Sequence, residues 1–321
     1  MRIGTRGSAL ALAQAGHVAD LIGGAQLITT AELRGNSDSA DAPAVAAGEE
    51  RAGLASPGTA LPPHDKARWV RDLELALLEG SIDLAVHSAK DLPTELPDGL
   101  ALLGAPPREP AEDVLCGVSR LEDLAPGARV GTGSLRRAAQ LLAFRDDLEI
   151  VAMAGNVDTR LAKLRDGVDE LDAIALALAG LARLQRIGDA GALLDSRRFV
   201  PAPGQGALAL EGRCDDSAIR DAAQRVSEPE TLAALRAERA LARALGASCH
   251  TPIGAHARVD GAAMHLRAWV GLPDGSTWCA DELTGDSADH EALAQALAAR
   301  LNAVGAGELL RAAEAMSLDR A

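Results

Sequence analysis

Aromatic residues are almost missing from this chain. There is no tyrosine, and two phenylalanines and three tryptophans make up 2% of its 321 residues. Its cores must therefore be built from Leu, Val, Ile and Ala, which carry most of the 48% hydrophobic fraction. No apolar run approaches the roughly 20 residues of a membrane span. The N-terminus, Met1-Arg2-Ile3-Gly4-Thr5-Arg6, lacks the apolar region of a signal peptide, so a cytoplasmic location is expected. Cysteine is scarce: Cys116, Cys214, Cys249 and Cys279 show no CxxC spacing, which fits neither a zinc site nor a disulfide framework and predicts reduced thiols. The seven histidines lack ligand spacing, so no metal is expected. Basic residues are outnumbered 46 to 32, a net charge of −14. Such a surface repels nucleic acid and anionic membranes. Screening acts over about 8 Å, so a local arginine cluster can still bind anions. Neither a Walker A lysine loop nor a GxGxxG opening a helix is present, which leaves nucleotide binding without support.

What the chain does have is a recurring unit: a short apolar strand, a turn of small polar residues, then a helix. The first runs through Met1–Gly4 and Thr5-Arg6-Gly7-Ser8 into a helix from about Ala9 to Ile22, with Ser8 as its N-cap and Gly23-Gly24 at its end. The others begin at Arg129-Val130-Gly131, Leu148–Met153 and Asp172–Leu178, with helices over Leu135–Arg145, Val157–Arg165 and Ala179–Leu184. Strands alternating with helices predict α/β layers. Residues 35–65 lack periodicity and predict a mobile loop. A helix from Ala67 to Glu79 should follow, with Trp69, Leu73, Ala76 and Leu77 as its apolar stripe and Gly80 as its stop. Ile82–Val86 reads as a buried strand, and Pro106, Pro107 and Pro110 and the stretch Phe199–Gly206 mark boundaries. After about residue 225 the texture changes to a long helix over Glu230–Leu245, a loop holding Cys249, strands near Ala255–Val259, His265–Gly271 and Ser276–Leu283, and one or two closing helices: a small α+β domain.

Four arginines, Arg6, Arg136, Arg137 and Arg160, stand where strands give way to helices. Free N–H groups and partial positive charge at helix N-termini, joined by hydroxyls and guanidinium forks, suit a carboxylate or phosphate. In open α/β sheets this strand edge is where ligands gather. The alternative for any one of them is an ion pair. Asp91, in His87-Ser88-Ala89-Lys90-Asp91, is an acid beside a lysine at the same edge, or else a cap for the turn before Pro93. His87 alone reads as a satisfied core histidine. Cys249 sits in a turn-rich loop, where the residues alone leave it a nucleophile, a tether or neither.

Six segments resemble the porphobilinogen deaminase family, in family order and over nearly the whole chain: Arg2–Leu12, Ala85–Pro93, Gly131–Arg137, Gly155–Leu161, Pro203–Ala207 and the loop Gly246–Gly254. The resemblance implies an α/β protein with two lobes like those of periplasmic binding proteins and a small C-terminal α+β domain. The implied division is 1–105 with 203–224, then 106–202, then 225–321. It implies a transferase that joins four porphobilinogens head to tail, each losing ammonia, to give hydroxymethylbilane. Cys249 would hold a covalent dipyrromethane, and Asp91 would be the catalytic carboxylate that stabilises cationic pyrrole states and shuttles protons. Arg6, Ser8, Lys66, Ser88, Lys90, Thr132, Ser134, Arg136, Arg137, Asn156, Arg160 and Arg183 would grip the carboxylates of cofactor and substrate. A monomer binding porphobilinogen, neither nucleic acid nor membrane, is the implied working state. The chain departs from the family at Ala154, where an arginine is usual, and at His64–Trp69, where the family loop is glycine-rich. Arg68 is expected to replace part of the missing charge, the alternative being that it faces solvent on the first helical turn. A non-catalytic anion binder on the same scaffold would need neither Cys249 nor Asp91, so both favour the enzyme.

Overall fold

In the computed structural model, residues 1–37, 64–247 and 251–318 are described. The elements are β1 (Arg2–Thr5), α1 (Ala9–Ile22), β2 (Gln26–Thr29), α2 (Thr30–Ser37), α3 (His64–Leu78), β3 (Leu84–Ser88), β4 (Leu100–Gly104), β5 (Asp113–Cys116), β6 (Arg129–Thr132), α4 (Leu135–Phe144), β7 (Glu149–Ala152), α5 (Val157–Arg165), β8 (Ala173–Ala177), α6 (Leu178–Arg183), β9 (Ala192–Leu194), β10 (Leu208–Arg213), α7 (Ser217–Val226), α8 (Pro229–Ala244), β11 (Ile253–Asp260), β12 (Ala263–Gly271), β13 (Trp278–Asp286), α9 (His290–Ala303) and α10 (Ala306–Leu318).

Two five-stranded sheets share one plan. The first has the order β2-β1-β3-β10-β4 and the second β7-β6-β8-β5-β9. In each, three parallel strands are followed by an antiparallel fourth, β10 or β5. Those two strands are where the chain changes lobe, so the segments β4-to-β5 and β9-to-β10 form a double crossover. The crossovers are bonded to each other, Glu109 N–H donating to the Gly206 carbonyl at 3.2 Å. At Gly206, with φ +85°, any Cβ would collide with the Glu109 carbonyl, so glycine is the residue that allows the two segments to touch.

Each sheet buries aliphatic side chains under its helices. Ile3, Leu84, Val86, Leu208 and Leu210 pack with α1 in the first lobe; Leu115, Val130, Ala173 and Leu141 pack in the second. The third unit is the antiparallel sheet β11-β12-β13 covered by α8, α9 and α10, its core made of Ala, Leu, Ile, Val and Met.

Four of the five aromatic residues meet in one place. Phe144 at the end of α4 lies 5.0 Å from the Phe199 ring and 6.0 Å from that of Trp278, and Trp278 stacks on Trp269 at 6.3 Å. Arg198 covers the Phe144 ring at 4.3 Å. Trp269 also packs on Ala139 of α4 and on Val200. The scarce aromatics thus join the second lobe to the C-terminal domain, each centroid spacing in the range that favours ring pairs.

Local expectations meet the structure unevenly. Ser8 caps α1 by accepting from Ala11 N–H, and Gly23 closes it in the left-handed region. The expected loop over 35–65 is helical at both ends: α2 reaches Ser37, nucleated by Glu32 accepting from the backbone and hydroxyl of Thr29 at 2.7 Å, and α3 begins at His64 rather than Ala67. The remainder of that stretch, 38–63, lies outside the described residues. The strand expected at Ile82–Val86 sits two residues later, because its pairing with β10 extends to Ser88. Strands β2, β4, β5, β9 and β10 had no counterpart in the sequence reading.

Candidate functional site

The C-terminal ends of the parallel strands in both sheets bring most of the sequence candidates to one region, and α1 of the first lobe packs against α6 of the second beside it. From the first lobe come Arg6 after β1, Ser88 at the end of β3, and Lys90 and Asp91 on the one-turn helix Ala89–Asp91. Arg6 Nη1 lies 4.0 Å from Asp91 Oδ2, both side chains partly exposed. The Ser88 hydroxyl is bonded to the Gln14 side chain at 2.8 Å. Gly204 of the second crossover, at φ +74°, presses against this turn: a Cβ there would stand 2.9 Å from the Ala89 carbonyl carbon. The crossover therefore sets the height of the Asp91 turn.

From the second lobe come the residues after β6, β7 and β8. Ser134 caps α4 by accepting from Arg137 N–H at 3.4 Å, and Ser134 N–H in turn donates to the Thr132 hydroxyl at 3.1 Å. Asn156 caps α5 through Thr159 N–H at 2.9 Å. Each cap uses a side-chain oxygen as acceptor, leaving the Ser134 hydroxyl proton and the Asn156 amide protons for a ligand.

The arginines divide into two kinds. Arg136 and Arg137 are buried and share one carboxylate, Asp113, at 2.7 and 2.8 Å. Arg136 also donates to the Val200 carbonyl at 2.9 Å and Arg137 to that of Ala175 at 3.0 Å. Burial alone would raise the Asp113 carboxyl; the charges of Arg136 and Arg137, with hydrogen bonds from Arg136 and Gln205, override it and hold it well below the usual carboxylate range. Two cations against one anion leave this buried cluster one positive charge in excess.

Arg160 and Arg183 differ. Neither has a carboxylate within salt-bridge distance among the described residues. Arg160 donates through Nε to the Gly155 carbonyl at 2.8 Å, and Arg183 through Nη2 to Gly206 at 2.6 Å. Burial, joined by the nearby charge of Arg137, brings Arg160 down to about 10; burial, partly offset by Glu109, brings Arg183 down to about 10. Both remain cations at neutral pH.

Gln205, missed as a functional residue although its motif was noted, ties the lobes together. Its Oε1 accepts from Lys90 of the first lobe at 3.3 Å and from Arg137 of the second at 3.4 Å. Its Nε2 donates to Asp113 at 2.8 Å and to the Ala111 carbonyl at 2.6 Å. A buried glutamine in a Pro-Gly-Gln-Gly crossover was the available signal. Asp113 gave a weaker one, the second of two acids just ahead of a short apolar run. His87 is the core histidine expected, 5% exposed and bonded to Glu211 at 2.9 Å. Cys249 lies outside the described residues, two positions beyond Ala247, where the chain leaves α8 through Gly246 in the left-handed region. Lys66 is the third residue of α3 and Arg68 the fifth, and their side chains lie outside the description as well. Cys116, Cys214 and Cys279 are free thiols.

Two α/β lobes joined by a double crossover, with Arg160 and Arg183 lacking a carboxylate within salt-bridge distance among the described residues, define a two-lobed α/β protein with local positive charge at its strand ends. Residues 1–221 match the family described as porphobilinogen deaminase, dipyromethane cofactor binding domain, and residues 232–303 match the porphobilinogen deaminase C-terminal domain. A porphobilinogen deaminase of Thermus thermophilus is 41% identical over 312 residues, 96% of this chain and 97% of the relative, and one of Moorella thermoacetica is 46% identical over 256 residues, 79% of this chain and 81% of the relative. The chain belongs to the porphobilinogen deaminase family of transferases, and its two lobes form the family's dipyrromethane-binding domain. Among solved structures, a methionine-bound nutrient binding protein of Burkholderia cenocepacia aligns over 72% of this chain and 93% of its own at 14% identity and a TM-score of 0.36, too loose a likeness to carry the fold, which rests on the strand order.

Proposed function

We propose that this chain condenses porphobilinogen head to tail, with loss of ammonia, into hydroxymethylbilane, using a dipyrromethane carried on Cys249 and Asp91 as its catalytic residue. The observation that carries the reading is the pair Arg160 and Arg183, partly buried cations without a carboxylate partner among the described residues. Each pyrrole unit of cofactor and substrate bears an acetate and a propionate, so the donor set fits a group of this charge. Arg6, Lys90, Arg160 and Arg183, with donors from Ser8, Lys66, Ser88, Thr132, Ser134 and Asn156, would hold those carboxylates. Arg136 and Arg137, both committed to Asp113, would act by fixing the start of α4 and by their net positive charge. Charge-assisted hydrogen bonds contribute about 1.5–3 kcal/mol each, enough in number to overcome the long-range repulsion of an acidic protein.

When bound, the dipyrromethane supplies the pyrrole terminus on which the product grows. The chain's own part is positional and electrostatic. Asp91 would stabilise positive charge on pyrrole nitrogens and shuttle protons at the departing amine and the pyrrole α-carbon. At about 4 Å from a cation, and an effective dielectric of 20, its charge is worth about 4 kcal/mol, some three powers of ten in rate. Gln205 keeps Lys90 and Arg137 at fixed separation across the lobes without adding charge.

On the same reading the chain divides as 1–105 with 203–224, 106–202 and 225–321, and works in the cytoplasm as a monomer that binds neither nucleic acid nor membrane. The double crossover supports the division. The net charge of −14 supports the expectation that neither nucleic acid nor an anionic membrane is bound; among the described residues no helix is long and apolar enough to cross a membrane.

The test is intact mass. Protein from cells that make porphobilinogen should exceed its sequence mass by one dipyrromethane, and Cys249→Ser should remove the increment together with activity. An unmodified, active wild-type protein would overturn the assignment.

A further inference from the structure

Helix α8 carries two adjacent charged residues that are both turned inward. Glu238 is fully buried and accepts four hydrogen bonds, from both Nη groups of Arg108 at 2.7 and 3.1 Å, from Gly204 N–H at 2.6 Å and from Ala257 N–H at 2.7 Å. Arg239, 9% exposed, has no carboxylate within salt-bridge distance among the described residues. Its guanidinium instead meets three successive backbone carbonyls: Nη1 reaches Leu92 at 3.3 Å, and Nη2 reaches Pro93 at 2.5 Å and Thr94 at 3.1 Å.

Those three residues follow Asp91 directly. The turn that holds Asp91 is a single one, closed by one bond from Leu92 N–H to the Ala89 carbonyl at 3.3 Å. Pro93 removes a further backbone donor. The carbonyls after Asp91 would be left without partners in a partly buried place, and a planar five-donor fork is the group best suited to collect three of them. Burial lowers the Arg239 pKa, Glu211 across the sheet opposes this, and Arg243 one turn along adds to it. A cation held in such surroundings by carbonyls alone is costly to keep for packing alone.

The same helix leads through Gly246 to the Cys249 loop. We infer that Arg239 is a positioning residue for the condensation, registering the Asp91 turn of the first lobe against the helix that presents the cofactor cysteine. The inference rests on the role given above to Asp91. Glu238, its neighbour, fixes the crossover glycine that presses on the other side of the same turn.

Lysine keeps the charge and loses the fork, so Arg239→Lys isolates geometry. The cofactor-loaded Arg239→Lys enzyme should lose about a hundredfold in kcat, the scale of a misplacement near 1 Å. KM should stay within about twofold and the dipyrromethane mass increment should be kept. Placed on Asp91→Asn, the same substitution should cost nothing further, because both act through one carboxylate. A near-normal kcat for loaded Arg239→Lys, beside an inactive Asp91→Asn, overturns the positioning role and leaves Asp91 standing. A full additional loss on the Asp91→Asn background also overturns it. Near-normal turnover of Asp91→Asn overturns both. If Arg239→Lys fails to load or fold, Arg239→Gln and Pro93→Ala are measured by the same split, and unchanged kcat in loaded Pro93→Ala and Arg239→Gln counts against the role.

Discussion

Asp113→Asn isolates the electrostatic centre of the second lobe. The wild-type carboxylate is 1% exposed and takes bonds from Arg136 at 2.7 Å, Arg137 at 2.8 Å and Gln205 at 2.8 Å. Asparagine preserves the shape and removes the charge, leaving two buried guanidinium groups facing each other with no anion between them. Breaking a buried pair from one side costs about 3–5 kcal/mol, and the like-charged arginine pair places this case at the upper end. The assay is denaturant unfolding of protein without the cofactor, so that ligand binding does not mask the loss. The pH dependence carries its own sign. A carboxyl held below its unfolded value contributes stability at neutral pH, and this contribution is lost as pH falls below about 4 toward the folded value. Wild type should therefore lose stability steeply on acidification, and Asp113→Asn should be weaker at neutral pH with a flatter acid limb. A variant within about 0.5 kcal/mol of wild type at pH 7, or one with the same acid limb, would refute the assignment of Asp113 as the anchor of this cluster.

Asp91→Asn should keep the fold and lose about a thousandfold or more in turnover, measured as hydroxymethylbilane formed per loaded enzyme; near-normal rate refutes its catalytic role, and loss of folding favours the turn-capping alternative. Arg160→Leu should weaken binding of the carboxylated ligands by about 1.5–3 kcal/mol, read as a rise in KM of about ten- to a hundredfold, while unfolding stability without cofactor holds or rises, since a partly buried cation without an anion is removed. Lower stability with unchanged KM would place Arg160 in the scaffold instead.

Several features follow from local chemistry, and these were legible before any fold was known. Ser8, a small acceptor just ahead of a periodic helix, caps α1 as expected; Ser134 and Asn156 cap α4 and α5 by the same chemistry, which the expectation for them as ligand donors did not include. The strand-turn-helix units at Arg2, Arg129, Glu149 and Ala173 are recognisable because each short strand runs at once into turn residues and a helix, even where the strand, as at Glu149, is a half-exposed sheet edge. The loop chemistry at Gly246 likewise marks the end of α8 within one residue.

Other elements carry no local signal. Strand β10 reads Leu-Ala-Leu-Glu-Gly-Arg and β5 reads Asp-Val-Leu-Cys; each places an acid in the interior, which argues against a buried strand until the partner is seen. The partners are His87 for Glu211, 124 residues away, and Arg136 with Arg137 for Asp113. Long-range pairing also decided which arginines are available. By sequence, Arg136, Arg137 and Arg160 stand at equivalent junctions. In the fold, two of them share one carboxylate from an antiparallel strand that belongs to no strand-turn-helix unit, and Arg160 has none among the described residues.

The sequence by itself thus determined the layer type, the caps, the family and the candidate residues, because each depends on neighbours within a few positions or on whole motifs. Tertiary structure alone decided the charge balance of the cleft, the bridge made by Gln205 and the clamp of Arg239 on the turn after Asp91. Those depend on which distant groups share one buried volume, where desolvation makes every missing or supplied partner count.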